Sequence, residues 1–179
     1  MKNYILATSR PWHELTAKRL EARVGARFHL VTKKEELTEA KVSAIQPEMI
    51  FVPHWSFVIP AEIFSRWKTV IFHMTDLPFG RGGSPLQNLI ASGISETKIS
   101  ALRCEQEMDA GPVYLKHPLT LEGSAREIFA RTVPLIEDMI AEILTKDLEP
   151  KPQSGKAVVF RRRTPVSYTH LTLPTILRV

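Results

Sequence analysis

The chain has 179 residues, of which 44% are hydrophobic and 24% charged, as is typical of one soluble domain with its own core. No apolar run approaches the roughly 18 residues that cross a bilayer, and the N-terminus lacks a signal-peptide core, so a cytoplasmic protein is expected. The net charge of +5 comes from residues 151–179, which hold six Lys or Arg and no Asp or Glu. The near-neutral remainder argues against a broad nucleic-acid-binding surface.

Strand and helix patterns alternate through the first half of the chain. Apolar runs predict strands at 3–9, 27–33, 49–52 and 69–73, and helical patterns occupy 13–25, 34–46 and 60–67 between them. Short apolar strands separated by helices are typical of a mostly parallel sheet that is covered on both faces. The sequence therefore predicts an α/β fold with a mostly parallel central sheet and helices on both faces.

The second half begins with a glycine-rich loop, after which Ser84 and Pro85 predict the start of a short helix over 85–93. Alternating apolar and polar residues predict two strands, at 97–105 and 111–121. A long apolar stripe then predicts a helix over 124–147. Pro134 interrupts this stripe and costs about 3 kcal/mol inside a helix, so either the helix kinks or two helices meet there.

His73 and Asp109 are the clearest candidates for catalytic residues. His73 ends an apolar strand, and in an open α/β sheet the loops at the carboxyl ends of the strands form the ligand crevice. Asp109 follows in the turn between two predicted strands, where it could meet the imidazole. Such a pair can orient the ring and move protons, although single His and Asp residues near strand ends are more often structural.

Other candidate motifs indicate no further chemistry. The segment "GRGGS" (80–84) fits neither a dinucleotide-binding fingerprint nor a P-loop. The histidines and Cys104 lack metal-ligand spacing, so no metal site is expected. Cys104 lies in an apolar strand and is interpreted as a small buried hydrophobe.

Several short motifs occur in an order that resembles one known family. They are His73, "TDLP" (75–78), Arg81-Gly82, Pro85 and "DAGP" (109–112). Together they resemble the folate-dependent formyltransferases, which include methionyl-tRNA formyltransferase and the sugar N-formyltransferases. The resemblance extends over about residues 45–145.

This resemblance implies a Rossmann-like formyltransferase fold and a set of roles for individual residues. His73 and Asp109 are expected to be catalytic. The expected folate-binding residues, acting through their backbone, are Thr75, Asp76, Leu77 and Pro78. The formyl donor would be 10-formyltetrahydrofolate, and the acceptor the amine of a small molecule, foremost a nucleotide-linked amino sugar.

One position departs from the family pattern, because Ile71 stands where the family has Asn two residues before the His. Ile71 cannot donate a hydrogen bond, and Asn88 is a speculative substitute. Two alternatives to this function stay open, the second of them because of Ile71. The chain is a fragment of a methionyl-tRNA formyltransferase, with tRNA as its partner, or it is a catalytically inactive folate-binding or interaction module.

The sequence also predicts how the chain is divided. Residues 1–150 form the formyltransferase catalytic domain, and residues 151–165 form a basic linker that leads out of it. Residues 166–179 lack acidic residues and a helical stripe, and they resemble the translation of a sequencing adapter. We interpret them as a non-native, irregular tail.

Overall fold

The computed structural model describes residues 1–163, so the predicted tail at 166–179 lies outside the described residues. In chain order the strands are β1 (Asn3–Ala7), β2 (Arg27–Val31), β3 (Met49–Val52), β4 (Lys68–His73), β5 (Phe79–Gly82), β6 (Glu96–Arg103), β7 (Val113–Thr120) and β8 (Val158–Phe160). Six of them form the central sheet in the order β2-β1-β3-β4-β6-β7, and β5 pairs with β8 in a second, two-stranded sheet.

The central sheet is mostly parallel, as predicted. Strands β1 to β4 pair in parallel, whereas β6 runs antiparallel to both β4 and β7. The antiparallel pairing of β6 with β7 follows from their short connection over residues 104–112, because a parallel connection would need a crossover of a dozen or more residues. The α/β fold class is confirmed.

Five helices cover the two faces of this sheet in the described part of the chain. They are α1 (Thr16–Val24), α2 (Glu39–Ile45), α3 (Ala61–Arg66), α4 (Pro85–Ala91) and α5 (Ala125–Thr145). Alternate residues of β1 point to opposite faces. Leu6 packs in the core layer formed with α1, α4 and α5, and Ile5 packs in the layer formed with α2 and α3.

Helix α5 continues without a break through Pro134, so of the two alternatives left open by the sequence, the one in which two helices meet there is excluded. An interior proline loses one backbone hydrogen bond. The neighbouring side chains of Val133 and Ile136 are buried, and their packing offsets that loss. Ser124 caps the start of the helix, because its hydroxyl accepts a hydrogen bond from the Glu127 amide at 3.3 Å.

The two-stranded sheet was not predicted from the sequence. The predicted linker over 151–165 packs against the domain along its described part: Lys151 exchanges two backbone hydrogen bonds with Val113, and β8 pairs with β5. Strand β8 is only three residues long and too short to show a periodicity. Residues 151–160 therefore belong structurally to the same folded unit as the sheet.

Candidate active site

A cleft of about 490 Å³ opens beside β4, and both His73 and Asp109 contribute to its wall. Its other walls come from the loop after β3, the turn between β6 and β7, and the end of β5. Trp55, Phe57 and Ile59 make the side formed by the β3 loop largely apolar. The structure thus brings the two predicted catalytic side chains together in one concave, partly apolar site, the usual form of a small-molecule site.

The imidazole of His73 has a defined orientation. Its Nε2 atom lies 2.7 Å from the carbonyl oxygen of Gly80. A carbonyl only accepts hydrogen bonds, so Nε2 carries the proton and Nδ1 has the free lone pair in the neutral ring. Nδ1 lies 3.6 Å from Oδ2 of Asp109. A proton added at Nδ1 would therefore face a carboxylate, whose negative charge stabilises the imidazolium.

The carboxylate of Asp109 is held by the neighbouring strand. Its Oδ2 atom accepts a 2.8 Å hydrogen bond from the backbone amide of Gly82. The backbone of Asp109 has a φ of +54°, a left-handed conformation that Asp adopts more readily than most residues. Asp109 and His73 therefore meet through a tight turn rather than through adjacent strand ends.

Gly80 places the carbonyl that orients His73. Its φ is +78°, and an added Cβ would lie 2.7 Å from Cγ2 of Thr75 and 2.8 Å from the ring of Phe160. A side chain at this position would push β5 away from both neighbours. The close approach explains why the loop after His73 is rich in glycine.

The four predicted folate-binding residues do not line this cleft, and many of their polar groups are already bonded. The Thr75 carbonyl accepts from Ser100 at 2.7 Å, and the Pro78 carbonyl accepts from the Val158 amide at 3.1 Å. The Leu77 carbonyl accepts from Lys116, which also forms an ion pair with Asp76. The described structure therefore shows this segment as a support for the strand end at His73, and its contact with folate stays a prediction.

Neither Ile71 nor Asn88 supplies a hydrogen-bond donor to the cleft. Ile71 lies in the cleft wall as an apolar group. The amide nitrogen of Asn88 donates to the carbonyls of Gly83, Ser84 and Arg161, so it fastens the start of α4 and is directed away from the cleft. The suggested substitution of Asn88 for the family Asn is wrong.

His13, which is buried, contacts His54, a partly buried residue of the loop after β3 that lines the cleft, and sequence reasoning assigned no role to this pair. The hydroxyl of Thr16 donates to Glu137 at 2.8 Å, so it can only accept from Nδ1 of His13, 3.3 Å away. His13 Nε2 lies 2.9 Å from Nδ1 of His54, and the indole nitrogen of Trp12 lies 3.4 Å from the same Nδ1. Burial lowers the pKa of His13 to about 4 and that of His54 to about 3, so both rings are neutral at pH 7.

Cys104 is buried in the cleft wall, consistent with the sequence prediction. Burial raises the pKa of its thiol to about 11, and the nearby charges of Asp109 and Glu105 act in the same direction. The thiol is therefore protonated and unreactive at neutral pH. Within residues 1–163 no three His, Cys, Asp or Glu side chains are grouped as metal ligands, and no helix is long and apolar enough to cross a membrane.

Comparison with known proteins identifies the family to which the chain belongs. The profile of the formyl transferase family matches residues 7–132, and the chain belongs to that family. A solved structure of methionyl-tRNA formyltransferase from Clostridium thermocellum is 45% identical, with a TM-score of 0.93 over 99% of this chain and 81% of that one. The predicted family and fold are confirmed.

More distant relatives differ in length. The methionyl-tRNA formyltransferase of Levilactobacillus brevis is 29% identical over 83% of this chain and 51% of its own length. The chain thus spans about half the length of the curated relatives it matches. The formyltransferase PseJ from Anoxybacillus kamchatkensis, solved with a UDP-linked formamido sugar and tetrahydrofolate, is 16% identical with a TM-score of 0.73 over 97% of this chain and 92% of that one. At that identity the likeness shows the fold alone.

The low pKa values of His13 and His54 predict that the folded protein loses stability in acid. The folded-state pKa of His54 lies below its unfolded value of 6.5, so the unfolded chain binds more protons and acidification below pH 6.5 lowers stability. We expect His54→Asn, which tolerates the φ of +50° at this position, to flatten this fall by up to about 1.4 kcal/mol per pH unit. Urea unfolding between pH 4.5 and 8 measures it. Parallel curves for both proteins below pH 6.5 would contradict the assignment.

Proposed function

We propose that this protein transfers a formyl group from 10-formyltetrahydrofolate to a primary amine. The observation that supports it most directly is the His73–Asp109 pair, whose Nδ1 and Oδ2 atoms lie 3.6 Å apart in the wall of the cleft. The family membership of residues 7–132 supports the same reaction. In the balanced reaction the amine nitrogen bonds to the formyl carbon, the bond from that carbon to folate N10 breaks, and one proton moves from the amine to N10.

His73 is the proton carrier in this proposal. Nε2 is bonded to the Gly80 carbonyl, so Nδ1 is the atom free to take a proton from the attacking amine. The imidazolium that forms is stabilised by Asp109, whose Oδ2 is in turn held by the Gly82 amide at 2.8 Å. Nδ1–H can then return the proton to the leaving nitrogen. One base therefore serves both halves of the reaction without rotating.

The cleft suits a flat donor. Its β3-loop side offers Trp55 and Phe57 as apolar surfaces, and its volume of about 490 Å³ lies in the range of small-molecule sites. Folate supplies the activated formyl carbon when bound. PseJ, which shares this fold, was solved with tetrahydrofolate. We place the donor in this cleft, while a contribution from the backbone of residues 75–78 stays a prediction.

Two amine acceptors are supported by different observations. Methionyl-tRNA is favoured by the name of the 45% identical relative, and by Arg162, which lies at the cleft wall between two further arginines. A nucleotide-linked amino sugar is favoured by the near-neutral charge of residues 1–150 and by the shared fold of PseJ. We favour methionyl-tRNA, because a relative at 45% identity carries more weight than fold likeness at 16%.

Removing either member of the pair should abolish transfer. His73→Ala and Asp109→Asn are expected to lower kcat by about 10²-fold to 10⁴-fold, the usual contribution of a positioned acid–base group. Formation of tetrahydrofolate is measured with methionyl-tRNA and with UDP-linked amino sugars as acceptors. Binding of the donor and the circular dichroism spectrum should be unchanged.

The controls separate the alternatives. His117→Ala, on the outer part of β7, should leave transfer intact because His117 lies outside the cleft. Undiminished transfer by both site variants would end the catalytic assignment. Donor binding by the wild-type protein without turnover on any acceptor would instead identify an inactive folate-binding module.

A substitution at Ile71 tests the proposal through an expected gain in kcat. We expect Ile71→Asn to raise kcat by at least about tenfold, because it adds a hydrogen-bond donor to the cleft wall, where a single oxyanion donor is worth roughly 10²-fold to 10³-fold. The matched control Ile71→Leu keeps an apolar side chain and should leave kcat near the wild-type value. An Asn variant that is folded but no faster would show that this position takes no part in the reaction.

A further inference from the structure

The turn that carries Asp109 is fastened from one side by a residue far along the chain. Gln153 donates from Nε2 to the carbonyl of Asp109 and to the carbonyl of Gly111, both at 2.8 Å. A primary amide has two N–H groups, so both are used on this one turn. Sequence reasoning placed Gln153 in a linker and gave no signal for these contacts.

The other end of the Gln153 amide binds β5. Its Oε1 atom accepts from Nε of Arg81 at 3.1 Å and from Nη2 at 2.9 Å. Only this orientation of the amide works, because the guanidinium has donors alone and the two carbonyls are acceptors alone. Gln153 therefore joins Arg81 on one strand to the Asp109 turn.

The position of Arg81 makes this link relevant to the imidazole. Its chain neighbours are Gly80, whose carbonyl orients His73, and Gly82, whose amide binds the Asp109 carboxylate. The two groups that hold the pair thus lie on either side of the residue that Gln153 binds. Movement of the Asp109 turn relative to β5 would change the 3.6 Å separation of Nδ1 and Oδ2.

We propose that Gln153 is a positioning residue that sets the distance between Asp109 and His73 by tying the Asp109 turn to β5. It acts through the backbone and touches none of the reacting atoms. Its catalytic consequence rests on the proposed formyl transfer, whereas its effect on the Asp109 turn does not. The positioning role of Gln153 can therefore be tested independently of the proposed formyl transfer.

The substitution Gln153→Glu keeps the contact with Arg81 but removes the contact with the Asp109 turn. A carboxylate keeps oxygen acceptors for Arg81 but directs an oxygen at two carbonyl oxygens, so the hydrogen bonds to the turn are lost and replaced by repulsion. Gln87→Glu, which makes the same chemical change at an exposed site on α4, is the matched control. Gln153→Met, which removes both ends without adding charge, serves if the Glu variant does not fold.

The first readout is amide hydrogen exchange by NMR, with no substrate present. The Gly82 amide reports the Asp109 contact directly, and the Ile5 amide in β1 reports the stability of the whole domain. We expect Gly82 to exchange at least about tenfold faster in Gln153→Glu, while Ile5 is unchanged and Gln87→Glu behaves as wild type. Unchanged exchange at Gly82, or an equal increase at Gly82 and Ile5, would overturn the proposal.

The second readout is steady-state formyl transfer with 10-formyltetrahydrofolate and whichever acceptor the wild-type protein uses. We expect kcat to fall about tenfold or more with the donor KM near the wild-type value, since the pair is displaced while the cleft remains. A faster-exchanging Gly82 with an unchanged kcat would overturn the catalytic half of the proposal. Absence of turnover in the wild-type protein would contradict the proposed function. The exchange result would still decide whether Gln153 positions Asp109.

Discussion

The close backbone approach between the Asp109 turn and β6 is the constraint on which the site depends. At Gly111 an added Cβ would lie 1.9 Å from the carbonyl oxygen of Arg103, so only glycine allows the chain to fold back this tightly. This return brings the carboxylate over β4, where the Gly82 amide and the His73 ring face it. With a looser turn, His73 and Asp109 would not come close enough to form a pair.

The segment after α5 completes the site as well as the fold. Lys151 pairs with the first residue of β7, Gln153 bonds to the Asp109 turn, and the ring of Phe160 packs where a side chain on Gly80 would lie. These contacts lie on or next to the Asp109 turn and on β5, whose Gly80 carbonyl orients His73. The site is therefore assembled from five separate parts of the chain: the loop after β3, β4, β5, the turn between β6 and β7, and residues 151–160.

The cleft wall on the side of the loop after β3 consists of neutral and apolar groups. Burial keeps His54 and its partner His13 neutral, and the Cys104 thiol stays protonated. A wall of neutral and apolar groups favours a flat aromatic ligand and strengthens the interaction of charges that do enter the site. His73 is the cleft histidine whose ring faces a carboxylate, and the proposed reaction assigns proton transfer to it.

The sequence by itself determined the α/β architecture, the five α-helices and the six strands of the central sheet, and it selected His73 and Asp109 as candidates, because apolar periodicity and short ordered motifs are local properties. Tertiary structure alone decided that these two side chains meet, that Asn88 faces away, and that Gln153 binds the Asp109 turn. Those outcomes depend on tight backbone approaches and on contacts between residues far apart in the chain. A single sequence carries no periodic signal for such contacts.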